Sequence, residues 1–407
     1  MTLTMTLFDP AAPGFGENPW HAYAALRDQP GLYWHEPFGG WLASRFADVQ
    51  AIATDRRMVR SAAVFLPPDQ VRQMQRQANF HDMPFHERFV QTSMLEIDGP
   101  DHDRLRRAVF PFFTRTRLES LRPAIAATAD ALIRDLLPRG RIDFIADLAS
   151  DLPGRIIGRL IGVPDEDSRQ MTGWSEDVVS YFDIDRTAEK KARAEQATVL
   201  FHDYLVCLRD ERITRPRDDL MTALIGAESR GDLRGDELIA AVMQILHAGH
   251  GSTIDVLGSG LHALLTHPDQ MQRLRDDPAL MPLAVQEMFR WAAPLPFFHR
   301  YASTDLTVAG RDWPQGTKFA LLYAAANRDP AAFPEPDRFD VARSPNRHIA
   351  FGGGPHVCLG NNLSRMNMEA IFTALLARTS QIALDGPVVW KAGLQAHGPT
   401  SLPISMA

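Results

Sequence analysis

The sequence predicts a single, mainly α-helical domain with small β-sheets. Helical periodicity dominates from Ala47 onward, while strand-like runs occur only near the start and after Pro294. No internal repeat, low-complexity tract or Ser/Gly-rich linker divides the 407 residues. Length alone would allow two or three domains. The unbroken pattern instead assigns 1–407 to one domain, with 1–18 as an irregular lead-in rich in Pro and Gly.

A short helix is expected over 20–28, and a hairpin over 32–35 and 40–44 around Pro37-Phe38-Gly39-Gly40. Apolar spacing then predicts helices over 118–137, 154–162, 167–182, 187–212, 217–229, 236–266, 268–277 and 279–292. Strands follow at 301–308 and 318–323, and a final hairpin near 382–404. Asp236 is placed to cap the longest helix, which Pro268 closes.

Composition narrows the function. Hydrophobic residues make up 45% of the chain, enough for a substantial core, and the net charge of -7 is unlike a nucleic-acid binder. Two cysteines, Cys207 and Cys358, exclude a disulfide-stapled fold. The opening residues lack the basic and apolar regions of a signal peptide, and no apolar run approaches the roughly 18 residues that span a bilayer. A cytoplasmic protein with no membrane contact is expected.

The most informative stretch is His348-Ile-Ala-Phe351-Gly-Gly-Gly354-Pro355-His356-Val-Cys358-Leu-Gly360. A lone cysteine is usually a small buried hydrophobe, which suits Cys207 within its amphipathic helix. It suits Cys358 badly, because three consecutive glycines make an ordered loop entropically costly. A phosphate cradle fails: Pro355 has no N–H and no Lys-Ser/Thr follows. A thiolate under a metal explains the loop better. Glycines let backbone N–H groups approach sulfur, and a helix starting after Cys358, through Leu363 and Met366, aims its positive end at the anion. With no second cysteine nearby, zinc and iron–sulfur sites give way to a single-thiolate metal such as haem iron.

The run Phe351 to Gly360 resembles the haem-binding loop of cytochromes P450. Three further stretches are similar to the same family in the same order, so the resemblance spans essentially the whole chain. It implies a haem b cofactor between the long central helix and the helix after Cys358, with Cys358 as iron ligand. Ala248, Phe351 and Gly360 are expected to line the haem.

Glu287 and Arg290 stand three apart in Ala284-Val-Gln-Glu-Met-Phe-Arg-Trp291, on one helical face. On the surface such a pair is worth only about 0.3–0.5 kcal/mol. The resemblance instead implies a buried structural network completed by an arginine downstream, and Arg338 in Pro334-Glu-Pro-Asp-Arg-Phe339 occupies that position. It also implies that His102, Arg106, Arg300 and His356 hold the haem propionates, surface charge being the plain alternative for each. His348 is as well explained by satisfying loop backbone. Arg104, Arg106, Arg107, Arg115 and Arg117 outnumber Asp101 and Asp103 between 101 and 117. That patch suits docking of an acidic ferredoxin or flavodoxin, or is simply a solvated helix face.

The long helix is odd at its centre, His247-Ala-Gly-His-Gly-Ser-Thr253. Each glycine there costs about 1 kcal/mol against alanine, and a kink with inserted water beside the iron would give it a purpose. The segment resembles the family's oxygen-binding groove, but Gly251 stands where an acid is expected and Ser252 where a threonine is. The hydroxyl survives and the carboxylate does not. His250 or a substrate group could supply protons instead, unless His250 only packs between helices. His247 either meets a polar substrate group or turns aside to a buried backbone carbonyl. Phe80, Phe85, His247, Leu295, Phe297 and Thr400 match regions where the family contacts substrate, which implies a moderate-sized apolar or aromatic molecule.

Three activities are therefore in play. The first is oxygen-dependent monooxygenation or oxidative coupling in bacterial secondary metabolism, by a monomer taking electrons from a ferredoxin and its NAD(P)H-dependent reductase. The second is a peroxide-driven peroxygenase, encouraged by Gly251. The third is a non-catalytic haem protein that binds a ligand.

Overall fold

The computed structural model describes residues 7–182 and 186–407. Helices carry most of the chain, and the 30-residue helix Glu237–Thr266 is the longest. Residues Leu238 to Leu261 are buried on all sides except at Ala248, Gly249, Gly251 and Ser252. A helix apolar all round belongs in a core. The helices Leu152–Ile161, Ser168–Ser180, Ala188–Thr214, Met281–Trp291 and Asn361–Arg378 pack against it.

A five-stranded sheet flanks this helical layer. Tyr33–His35 pairs antiparallel with Gly40–Ala43, which runs parallel to Lys318–Leu322; Phe297–Ala302 and Met58–Val59 complete it. A second sheet sets Pro403–Met406 between Arg141–Asp143 and Ile382–Leu384.

The expected helices are present, with four differences. The helix expected over 118–137 is two, Arg115–Glu119 and Arg122–Leu136, because Pro123 starts the second. The strand expected over 301–308 is also divided, at Ser303 to Asp305, between Phe297–Ala302 and Leu306–Val308. Asp236 does not cap the long helix: its carboxylate pairs with Arg88, and Glu237 accepts the Arg234 N–H at 2.7 Å instead. Cys207 is exposed, since it lies on the solvent side of helix Ala188–Thr214, opposite buried Leu205 and Leu208. No helix among the described residues is long and apolar enough to cross a membrane.

Candidate active site

Cys358 sits in a tight loop before helix Asn361–Arg378. Its N–H donates to the Phe351 carbonyl at 2.9 Å and its carbonyl accepts from Asn361 Nδ2 at 2.7 Å. Gly354 is required: φ is +66°, and a Cβ there would lie 2.4 Å from the Ala53 carbonyl oxygen. The thiol is accessible, and burial of its surroundings raises its pKa. The Gly360 N–H, Arg106 and Arg365 act the other way and favour thiolate. Both guanidiniums are anchored, Arg106 to the Val357 carbonyl at 2.7 Å and Arg365 to Asn361 Oδ1 at 2.7 Å, 4.5 Å over the Phe351 ring.

Whether a haem fits turns on what faces its carboxylates. Arg300 is 3% exposed, donates to the His299 carbonyl, and pairs with no carboxylate among the described residues. His102 Nε2 is buried without a partner. A buried guanidinium and an orphaned imidazole nitrogen are costly unless an anion completes them, and propionates would. The His356 ring lies 4.4 Å from that of His102, tilted by 44°, but its Nε2 is already held by Asp98 at 2.8 Å, leaving only Nδ1 to offer. Arg60 is a fifth cation that the motifs did not flag, buried between Glu96 (2.5 Å) and His299 Nδ1 (3.2 Å). The donor set fits a haem bound by one thiolate.

The long helix supplies the opposite wall. Ala248, Gly251 and Ser252, spaced i, i+3 and i+4, form one open face on an otherwise buried helix. A Cβ on Gly251 would meet nothing within 4 Å, whereas one on Gly249 would press Ile157 at 3.2 Å. Gly249 therefore serves close helix packing, and Gly251 keeps space open. The Ser252 hydroxyl reaches the Ala248 carbonyl only at 3.4 Å, so it is weakly held. Just beyond, Thr253 Oγ1 and Ser364 Oγ meet at 3.0 Å and join this helix to the one that follows Cys358.

Two open alternatives on this helix are narrowed. His250 does not face the groove: it points toward Ser150 O at 3.4 Å and packs on Gly154. Burial lowers its pKa to about 4, so it is neutral and poorly placed to deliver protons. His247 finds no carbonyl for Nε2, which is buried and unpartnered, with its ring 6.1 Å from Phe182.

The proposed pocket wall separates into parts. Leu295 and Phe297 are half-buried beside the sheet, Phe297 edge-on to Phe38 at 6.0 Å. Phe80 stacks on His86 at 5.7 Å beneath Arg186, and Phe85 turns to His202 on helix Ala188–Thr214. These two rings fasten the 78–90 segment to its neighbours. Thr400 is exposed and bonds the Val389 carbonyl at 3.2 Å. Strand alternation is the reason: Pro399 faces the long helix at Gly258, which turns Thr400 away.

Glu287 and Arg290 are both 0% exposed and form two parallel contacts of 2.7 Å. Arg338 does not join them by its side chain, which is 57% exposed and pairs with Glu335; its carbonyl alone accepts from Arg290, at 3.3 Å. Arg343 completes the network instead, with Nε 3.1 Å from Glu287 Oε2. A charge spaced close to the expected position was mistaken for the partner because the turn through Glu335, at φ +47°, redirects the chain.

A family model described as Cytochrome P450 matches residues 177–381. A polyketide biosynthesis cytochrome P450, PksS, of Bacillus subtilis is 31% identical over 98% of this chain and 99% of its own. A mycinamicin IV hydroxylase/epoxidase of Micromonospora griseorubida is 37% identical over 90% of each. Among solved structures, CalO2 is similar at a TM-score of 0.90 and 30% identity, covering 98% of each chain.

Proposed function

The chain belongs to the cytochrome P450 family and is a haem-iron monooxygenase, and from that premise we propose that it oxidises a moderate-sized, mainly apolar or aromatic molecule of bacterial secondary metabolism. Its cofactor is haem b, its electrons come from a ferredoxin and an NAD(P)H-dependent reductase, and it works as a cytoplasmic monomer of one domain. The observation that carries the reading is that the helix following Cys358 meets the long helix, through Thr253 Oγ1 and Ser364 Oγ at 3.0 Å, beside its open stretch from Ala248 to Ser252. The relatives named for polyketide and mycinamicin chemistry support the substrate class.

When bound, the haem supplies oxygen activation and insertion of an oxygen atom into the substrate. Cys358 would hold the iron, and Arg106, His102, Arg300 and His356 Nδ1 would hold the propionates. Arg106 and Arg365 oppose the burial that raises the thiol pKa, and their positive charge beside the sulfur would tune its donation to the metal. Ser252 would hold a proton-carrying water on the open face, and Phe297 and Leu295 would exclude bulk water.

Redox docking is narrower than the arginine count implied. Arg104 is spent on Glu237 at 2.6 Å and Arg117 on Asp218 at 2.7 Å. Arg107 and Arg115 remain exposed, as are Phe110 and Val357, and Arg106 on the same helix as Arg107 reaches the cysteine loop at the Val357 carbonyl. We assign the ferredoxin to that smaller surface.

The missing acid at Gly251 favours one rival, a peroxide-driven peroxygenase, because peroxide arrives with its protons. Both are tested together. A library of aromatic natural products is screened for a haem spectral shift, and the strongest binder is turned over with ferredoxin, reductase and NADH under isotopically heavy oxygen gas. Label in the product supports oxygen-dependent monooxygenation. Product formed only with hydrogen peroxide would replace it with the peroxygenase.

A further inference from the structure

Asp255 is a carboxylate buried in the long helix, one turn beyond Ser252, and neither the haem nor the substrate wall accounts for it. It is 2% exposed, and Lys391 Nζ lies 2.6 Å from its Oδ1. The contact is ionic and off the ideal hydrogen-bond direction, so Oδ1 is otherwise unpartnered. Lys391 is 34% exposed, and its N–H donates to the Gly398 carbonyl at 3.0 Å, pinning the 389–401 hairpin beside the helix. Gly398 makes this approach possible, since a Cβ there would sit 2.6 Å from Asp255 Cα. The other charged group in range is Glu176, on helix Ser168–Ser180, which feels both Asp255 and Lys391; His250 on the long helix feels Lys391 and is neutral.

Positions 252 and 255 are i and i+3, neighbours on the helix surface with Cβ atoms about 5–6 Å apart, a separation that a bridging water would span. The cluster thus runs from solvent at Lys391, through buried Asp255, to the weakly held hydroxyl that borders the open face. We propose that Asp255, recharged from solvent through Lys391, is the positioning residue that keeps Ser252 supplied with protons, in place of the acid absent at Gly251. Asp255 O–H gives its proton to a bridging water, which passes one of its own to Ser252 Oγ as the Ser252 O–H proton goes to the water held on the open face. The Asp255 carboxylate then takes a proton from the Lys391 ammonium, and the amine regains one from water. Each transfer breaks one O–H or N–H bond and forms another, and no electrons move. Burial raises the Asp255 pKa, with Lys391 opposing it, so the group keeps its proton to higher pH than an exposed aspartate.

This rests on the oxygen-dependent reading, so one readout needs no turnover. The haem-loaded protein without substrate is compared with Asp255→Asn by infrared spectroscopy across pH. The carbonyl stretch of a protonated carboxylic acid should be present below the Asp255 transition and absent from the variant. Turnover is then measured as product per NADH with the library compound giving the largest spectral shift. Asp255→Asn should lose about tenfold, less than the roughly 100-fold or more of a general acid acting directly on the reacting group, and release the difference as hydrogen peroxide. Lys391→Met should show the same pH-dependent loss, and Asp255→Glu should restore part of it. Wild-type product formation that is unchanged in Asp255→Asn, or the absence of the acid band at every pH, overturns the proposal. A loss of coupling matched by a lower thermal midpoint and not relieved by Asp255→Glu also overturns it, and makes the pair a tether for the hairpin. No wild-type product with ferredoxin would fail the monooxygenase reading alone, and the infrared band would still decide on Asp255.

Discussion

The Arg343 guanidinium lies 3.1 Å from the Glu287 carboxylate, and through it the loop before the cysteine is bound to helix Met281–Trp291. Glu287 also accepts from the Asp340 N–H and from Asn346 Nδ2, both at 3.0 Å, so one buried carboxylate organises the whole 334–346 segment.

Unequal effects of two nearby arginines follow. Breaking a buried ion pair by removing one partner costs about 3–5 kcal/mol. Glu287→Ala and Arg290→Ala should therefore yield little soluble, haem-loaded protein. Arg343→Ala, at the edge of the same network, should lower the thermal midpoint clearly. Arg338→Ala should move stability by no more than about 0.5 kcal/mol, as for ordinary surface sites. Thermal melts of the four variants check this, and equal loss from Arg338→Ala and Arg343→Ala would contradict it.

A carboxylate introduced at the open face should be accommodated. A Cβ at Gly251 meets nothing within 4 Å. Gly251→Asp should fold with a thermal midpoint within a few degrees of wild type, since aspartate is only about 0.3 kcal/mol better than glycine within a helix. Gly249→Asp should fail to fold, because Ile157 occupies that space. Product per NADH for Gly251→Asp should equal or exceed wild type; a fall would mean that the open space is needed by substrate.

Ser252→Ala should reduce product per NADH about as much as Asp255→Asn, because Asp255 acts through that hydroxyl, while peroxide should support comparatively good turnover. The hydroxyl is weakly held and no acid stands beside it at 251. Coupling assays with a peroxide control measure this. Unchanged coupling in Ser252→Ala would take the hydroxyl out of the proton path, and an absence of peroxide activity would remove the peroxide expectation.

Stability should fall on mild acidification. Burial lowers the pKa of His86 and His348 to about 3 and of His247, His250 and His397 to about 4, against about 6.5 in an unfolded chain. Between these values the unfolded state binds more protons than the native one, so stability rises with pH and is lost as pH drops below about 6.5. Thermal midpoints of the haem-loaded protein should decline steadily from about pH 7 to about pH 5. A flat profile would show that these imidazoles are not held neutral.

Helix positions were legible because apolar spacing reports burial directly, and the Cys358 loop because three glycines before a cysteine have few other uses. Side-chain direction was less legible. Thr400 was misplaced by one residue of strand alternation, Arg338 by a turn that reverses the chain, and Cys207 because an amphipathic helix has a solvent side. For His250 the spacing allowed either proton supply or packing between helices, and its position on the helix turns it to Ser150. Asp255 gave no signal in the sequence, because its meaning depends on Lys391, 136 positions away and adjacent only after folding.

The account depends most on Cys358 being the iron's sulfur ligand. The reduced carbon monoxide complex of the haem-loaded protein should show the red-shifted band of a thiolate-bound haem. Cys358→Ser should lose that band, while Cys207→Ser, a change at an exposed site, should keep it. A normal thiolate band in Cys358→Ser would contradict the assignment and the site built on it.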